Sequence, residues 1–206
     1  MARVAKQRKE NEIEFSRIVA FSDGVFAIAI TLLVLNLKIP EHLHDADLTA
    51  VLLEQWPDLF AFALSFAVIG RFWVIHHGFF SEVTGFDGRL IALNLFYLAW
   101  IVLLPFSSQV LGAYGDDEAA VVLYAINLSA VVLSGVLMFN DAQRSGLART
   151  TPAEGRDNRN RALRIAAVFL LSIPVALFDA RLAQWFWLAL FAWPVVDRVS
   201  RRRKGR

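Results

Sequence analysis

The chain has 206 residues, 57% of them hydrophobic and 19% charged, with a mean hydropathy of +0.49. A water-soluble domain usually carries about a quarter charged residues and lacks apolar runs of about 18 or more, so the composition excludes one and points to an integral membrane protein. The net charge of +2 says little, and the absence of cysteine removes a disulfide framework, a thiolate metal site and a Cys nucleophile.

Residues 1–14 are polar and mixed in charge and read as a frayed tail or short surface helix. A first span follows at about 16–38, roughly 34 Å at 1.5 Å per residue, long enough to cross a bilayer. It is too long for a cleaved signal sequence, and Pro40 ends it. The loop to Trp56 is acidic. His42 and His44, with Asp45 and Asp47, make a weak zinc-type set there and read better as solvated side chains. A second span is expected at about 57–79, opening on Pro57, and a third at about 90–112, bent by Pro105. A fourth runs at about 119–140. The polar stretch 141–161, with Gly146, Pro152 and Gly155, connects it to a fifth at about 162–179. A sixth, at about 183–197, is short and carries Trp185, Trp187 and Trp193, suited to interface belts. The tail 198–206 is basic. The fold expected is therefore all-α, a single domain of six transmembrane helices.

Charge asymmetry orients these spans. Five basic residues precede span 1, six lie between Arg144 and Arg164, and six more between Arg198 and Arg206. With Arg89 these are eighteen of the twenty-one, all on one side if there are six spans; the other side keeps Lys38 and Arg181. By the positive-inside rule both termini are cytoplasmic. The outer loops hold nine acids against those two bases, an arrangement that concentrates cations.

Span 1 contains the chain's most unusual placement. From Phe21 to Leu35 it has one ionisable side chain, Asp23, flanked by Ser22 and Gly24. A carboxylate inside a span requires a partner or water. At about 100° per residue, Leu32, Leu35, Gly24, Phe21 and Arg17 all fall within roughly 40° of Ile28, whereas Asp23 lies about 140° away. By spacing alone, Ile28, Leu32 and Leu35 are any packed helix face. Arg71, in the antiparallel second span, lies at a depth matching Asp23, which makes a pair between them available. His76, His77 and Asn94 are also within reach of Ser22 and Asp23. Asp23 is then either a polar clasp tying span 1 to spans 2 and 3, the preferred reading, or a proton or ion site.

Three stretches carry a resemblance. Arg17, Phe21, Ser22 and Asp23, ahead of an apolar run containing Thr31, resemble the signature of the transmembrane protein 175 family, the endolysosomal potassium channels and their shorter bacterial relatives. Gly70-Arg71-Phe72-Trp73-Val74-Ile75-His76-His77 resembles the family's second-helix ending. Asn94-Leu95, followed by Leu104-Pro105-Phe106-Ser107, resembles its third helix. The resemblance implies a homotetramer in a bacterial inner membrane, with helix 1 of each chain around a central pore. It places Ile28, Leu32 and Leu35 on the apolar constriction, Ile28 at the narrowest ring, with Thr31 an adjacent hydroxyl. It also implies passive conduction of potassium and other monovalent cations, with no cofactor, no nucleic-acid partner and no enzymatic activity. The chain has no Thr-Val-Gly-Tyr-Gly loop, so a carbonyl filter is absent and the selectivity expected is modest. The alternative is a proton-coupled secondary transporter using Asp23, against which the lack of an internal repeat counts.

Overall fold

From Ala2 to Thr31 the sequence contains one glycine and no proline, so nothing breaks a helix once it starts. The computed structural model describes residues 2–37 and 56–187, and in it the expected tail does not separate from span 1. Helix α1 runs unbroken over Ala2–Leu32. One ion pair a turn apart lies near its middle, where Arg17 Nη1 meets Glu14 at 2.7 Å. The helix then tightens into a 3-10 turn over Leu33–Asn36, and Leu37 is extended.

Helix α2 spans Trp56–Glu82 and α3 spans Gly88–Ala113. Asp87 caps α3 by accepting from the Leu90 backbone N–H at 2.7 Å. Helix α4 covers Glu118–Arg144 with Asp117 as its cap, and α5 covers Pro152–Ala176. The polar stretch expected as a connector is therefore mostly helical; only 145–151 is loop. Thr151-Pro152-Ala153-Glu154 is the reason. Glu154 N–H donates to Thr151 Oγ1 at 3.3 Å, Thr151 N–H donates back to Glu154 Oε2 at 3.0 Å, and the proline takes the first helical position. The Thr151 bonds hold the Glu154 carboxyl below the usual range. A last helix, α6, begins at residue 180 and is described to 187. Glu41, His42, His44, Asp45, Asp47, Glu54, Trp193 and the tail 198–206 lie outside the described residues.

Among the described residues, four helical segments are long and apolar enough to cross a bilayer: Ile13–Leu35, Ala61–Glu82, Gly88–Ala113 and Glu118–Arg144. They match the first four expected spans. The first half of α5 carries four arginines, and its apolar stretch begins only after them. Helix α4 packs along α3 and α5, and α1 packs on α2 and α3. The shared core takes Phe26, Ala29 and Leu33 from α1, Ile69 from α2, Ile101 and Leu104 from α3, and Leu128 and Val131 from α4. At the opposite end from α6, the two loops at 83–87 and 145–151 are stitched together. Thr84 N–H donates to Leu147 O at 2.8 Å and Arg149 N–H to Glu82 O at 2.9 Å. Gly146 turns the chain there at φ 69°, a conformation that favours glycine.

Pro105 sits inside α3, where it removes one backbone N–H and disturbs the carbonyls a turn behind it. Asn127 of α4 bonds α3 on either side of that point. Its Nδ2 donates to Trp100 O at 3.0 Å, and its Oδ1 accepts from Ser107 Oγ at 2.8 Å. Asn127→Leu removes one bond from the Trp100 carbonyl and leaves the Ser107 hydroxyl only its bond to Leu104 O at 3.2 Å. It should cost about 1–2 kcal/mol, read as a lowered midpoint of thermal unfolding in detergent. An unchanged midpoint would show that Asn127 does not support α3 around Pro105.

Candidate functional site

Helix α1 presents two contrasting faces. Ser22, Phe26, Ala29 and Leu33 are buried in the bundle. Opposite them Phe21, Gly24, Ile28, Thr31, Leu32 and Leu35 are all exposed, Ile28 at 61% and Leu35 at 68%. The apolar stripe that spacing alone assigns to packing is thus the face the protomer leaves uncovered. Thr31 Oγ1 donates to Ile28 O at 2.9 Å, so its hydroxyl is satisfied one turn back within its own helix.

The buried face carries a polar chain. Ser22 is fully buried; its Oγ donates to Ile18 O at 3.0 Å and accepts from Asn94 Nδ2 at 2.9 Å. That turns Asn94 Oδ1 toward His76, whose Nε2 donates to it at 2.9 Å. His76 is itself enclosed by aromatic rings, stacked on Tyr97 with centroids 5.4 Å apart and facing Phe26 and Phe80 at 5.3 and 4.7 Å. One hydroxyl of α1 is therefore tied to α3 by one bond and to α2 through a second. Buried polar atoms in such a chain have no water to fall back on, so each link depends on the others.

Asp23 is half-buried beside this chain, and its Oδ1 accepts from Trp73 Nε1 at 2.8 Å. The pairing with Arg71 expected from depth is not formed: Arg71 is exposed, and Trp73 holds the carboxylate. Depth along a helix does not fix azimuth, and two residues on is about 200° around. The same geometry separates the neighbouring histidines, about 100° apart. His76 points inward; His77 is exposed, beside the Trp73 ring at 5.5 Å. Arg17 likewise faces out, paired with Glu14. Of the residues expected to form the clasp, Ser22, Asp23, Trp73, His76 and Asn94 come together, and Arg17, Phe21, Arg71 and His77 do not join their hydrogen bonds. Asn127 and Ser107, not among the expected site residues, form a second buried polar contact further along α3. The signal for it was an asparagine in an apolar run opposite a helical proline.

At the other end of the bundle three of the acids expected on the outer side, Asp116, Asp117 and Asp179, have local partners. Asp116 accepts two bonds from Arg181, at 2.6 and 2.7 Å, and the guanidinium holds its carboxyl below the usual range. Asp117 and Asp179 cap helices, accepting from the N–H groups of Ala119 and Leu182. A group with a depressed pKa stabilises the fold above its ordinary pKa, and that contribution is lost as pH falls through the depressed value. Because this pair is exposed, salt screens it, and Asp116→Asn is expected to leave thermal stability nearly unchanged at physiological ionic strength. A large drop would mean that the loop to α6 is held by charge.

Residues 17–105, which contain the whole clasp and the exposed stripe, match the family described as endosomal/lysosomal potassium channel TMEM175. The chain is 41% identical over 126 residues to a potassium channel of Streptomyces collinus, covering 61% of each chain. It is 40% identical over 129 residues to a potassium channel of Chamaesiphon minutus, covering 62% of this chain and 63% of that one. The alignments thus span a little over three fifths of those two relatives. Among solved structures, a crystal structure of a lysosomal potassium-selective channel TMEM175 homolog from Chamaesiphon minutus superposes with a TM-score of 0.70 at 30% identity, covering 89% of this chain and 97% of that one. With that extent of shared fold and sequence, and a clasp and stripe that fall inside the matched residues, the chain belongs to the TMEM175 family.

Proposed function

We propose that this protein is a membrane channel conducting potassium passively, through a pore that several copies of the chain enclose with their α1 helices. One observation carries the reading: the Ile28, Leu32 and Leu35 face is left uncovered on a helix whose other side is fully packed. A single helix cannot enclose a pore, so a pore on this face needs several copies of the chain, and a fourfold ring with Ile28 at its narrowest level is the arrangement proposed. Gly24, on the same face with nothing within 4 Å of a Cβ placed there, leaves room for close approach between copies. Four isoleucines around an axis make a passage that loses water easily, so size and polarity gate the ion. Thr31, whose hydroxyl is occupied by its own helix, adds one polar atom per copy near that level, and the selectivity among monovalent cations is modest.

The Ser22, Asn94 and His76 chain, with Asp23 and Trp73 beside it, is proposed as the clasp that sets the rotation of α1 and so decides which face meets the axis. Six spans, with both termini on the cytoplasmic side of the cell membrane, suit the gathering of Arg89, Arg144, Arg149 and the α5 arginines at the end where the loops 83–87 and 145–151 join. The potassium-channel relatives support this reading over a proton-coupled transporter using Asp23, which lies off the uncovered face. The test is ion flux in liposomes holding the purified protein, with potassium, sodium and chloride gradients compared. The reading expects cation flux that dissipates the gradient without proton coupling. Flux that needs a pH gradient, or no flux in assembled protein, overturns it.

A further inference from the structure

Helix α5 packs mainly on α4, whereas α1 packs on α2 and α3. Its outward side therefore belongs to a different part of the surface from the uncovered face of α1. That side is continuous: Arg156, Asn160, Leu163, Ala167, Leu170 and Leu171 are all exposed and fall within about 60° of one another's mean direction. From Arg156 to Leu171 it is roughly 22 Å long, polar and basic at one end and apolar beyond. Arg164 is exposed on its flank, with Nε donating to Asn160 O at 3.2 Å. The acids nearby are engaged: Asp157 pairs with Arg161 at 3.4 Å and Glu154 with Thr151. Arg144 and Arg149, exposed in the adjoining turn, add to the field at the same end.

We propose that this face holds an anionic phospholipid of the leaflet at the basic end of the bundle, with its phosphate against Arg156 and Arg164 and an acyl chain along Leu163, Ala167 and Leu170. The shape argues for an amphiphile. An apolar partner has no use for the arginines, and a free phosphate none for the leucines. Charge complementarity then selects an anionic headgroup over a zwitterionic one. The proposal stands whether or not α1 lines a pore.

Because the chain has no cysteine, Leu163→Cys can carry a single fluorescent label. The labelled full-length protein is reconstituted in phosphatidylcholine vesicles doped with either phosphatidylglycerol or phosphatidylcholine bearing brominated chains, which quench on contact. The expected result is half-maximal quenching at a roughly fivefold to tenfold lower fraction of the anionic lipid, from two basic contacts at the headgroup. Arg156→Gln with Arg164→Gln, or high salt on the parent protein, should bring the two lipids level, and Arg181→Gln at the other end should not. Equal quenching by both lipids in the parent, or a preference that survives loss of both arginines, overturns the proposal. So does an absence of quenching by either lipid together with disulfide-linked pairs of the unlabelled Leu163→Cys protein, which would put a second copy on this face.

Discussion

Ile28→Asn is expected to raise cation flux by roughly tenfold, equivalent to about 1.4 kcal/mol off the barrier, and to reduce discrimination among monovalent cations. The barrier at a ring of isoleucines is mostly the cost of stripping water from an ion where few polar atoms replace it. An amide at that level supplies oxygens and retains water. Ile28→Ala should also raise flux, by widening the ring without adding polarity. Ile30, about 160° around the helix, packs against the protomer core. Ile30→Asn should therefore destabilise the protein without raising flux. Liposome flux on all three variants checks the prediction, and similar effects at positions 28 and 30 would contradict the assigned face.

The largest effect on stability is expected at Asn94. Asn94→Leu removes the link between Ser22 and His76, leaving the imidazole N–H unsatisfied and the Ser22 hydroxyl with only its bond to Ile18 O, at a cost of about 2–3 kcal/mol. Lower thermal stability and loss of assembly should appear together, because α1 would no longer be held in one rotation. Asp23→Ala should do less, since its carboxylate is half-buried and holds one bond from Trp73. Trp73→Phe should reproduce it, with a coupling of about 1 kcal/mol in the double-mutant cycle. Arg71→Ala should leave stability close to the parent's. A strong effect of Arg71 and none of Trp73 would return the carboxylate to an ion pair. Stable, assembled Asp23→Ala protein that has lost only pH-coupled transport would favour the transporter.

How far the sequence revealed this arrangement depended on the kind of information each feature needs. Apolar runs between polar breaks placed the first four spans, because burial in lipid depends on composition over a helix length. Angular position on α1 separated Ile28 from Asp23 because it follows from counting residues. Which face the bundle covers does not follow from spacing, since a packed stripe and an uncovered one share the same periodicity. The partner of Asp23 was misplaced for a related reason: depth was matched with Arg71, and azimuth, which favours Trp73, was left out. The helical start at Thr151 was legible in its capping residues but was hidden by the polarity of the stretch around it. Asn127 showed only when two helices were side by side, since the carbonyl it serves belongs to α3.

Single cysteines, in a chain that has none of its own, report whether the exposed face of α1 from several copies encloses the conducting path. Ile28→Cys and Ile30→Cys are each reconstituted, oxidised, and compared for disulfide-linked pairs and for potassium flux before and after reduction. If Ile28 lines the narrowest ring, Ile28→Cys forms linked pairs on oxidation, flux falls sharply, and reductant restores it, whereas Ile30→Cys does neither. No linkage and no block at Ile28, or the same behaviour at both positions, would contradict the claim.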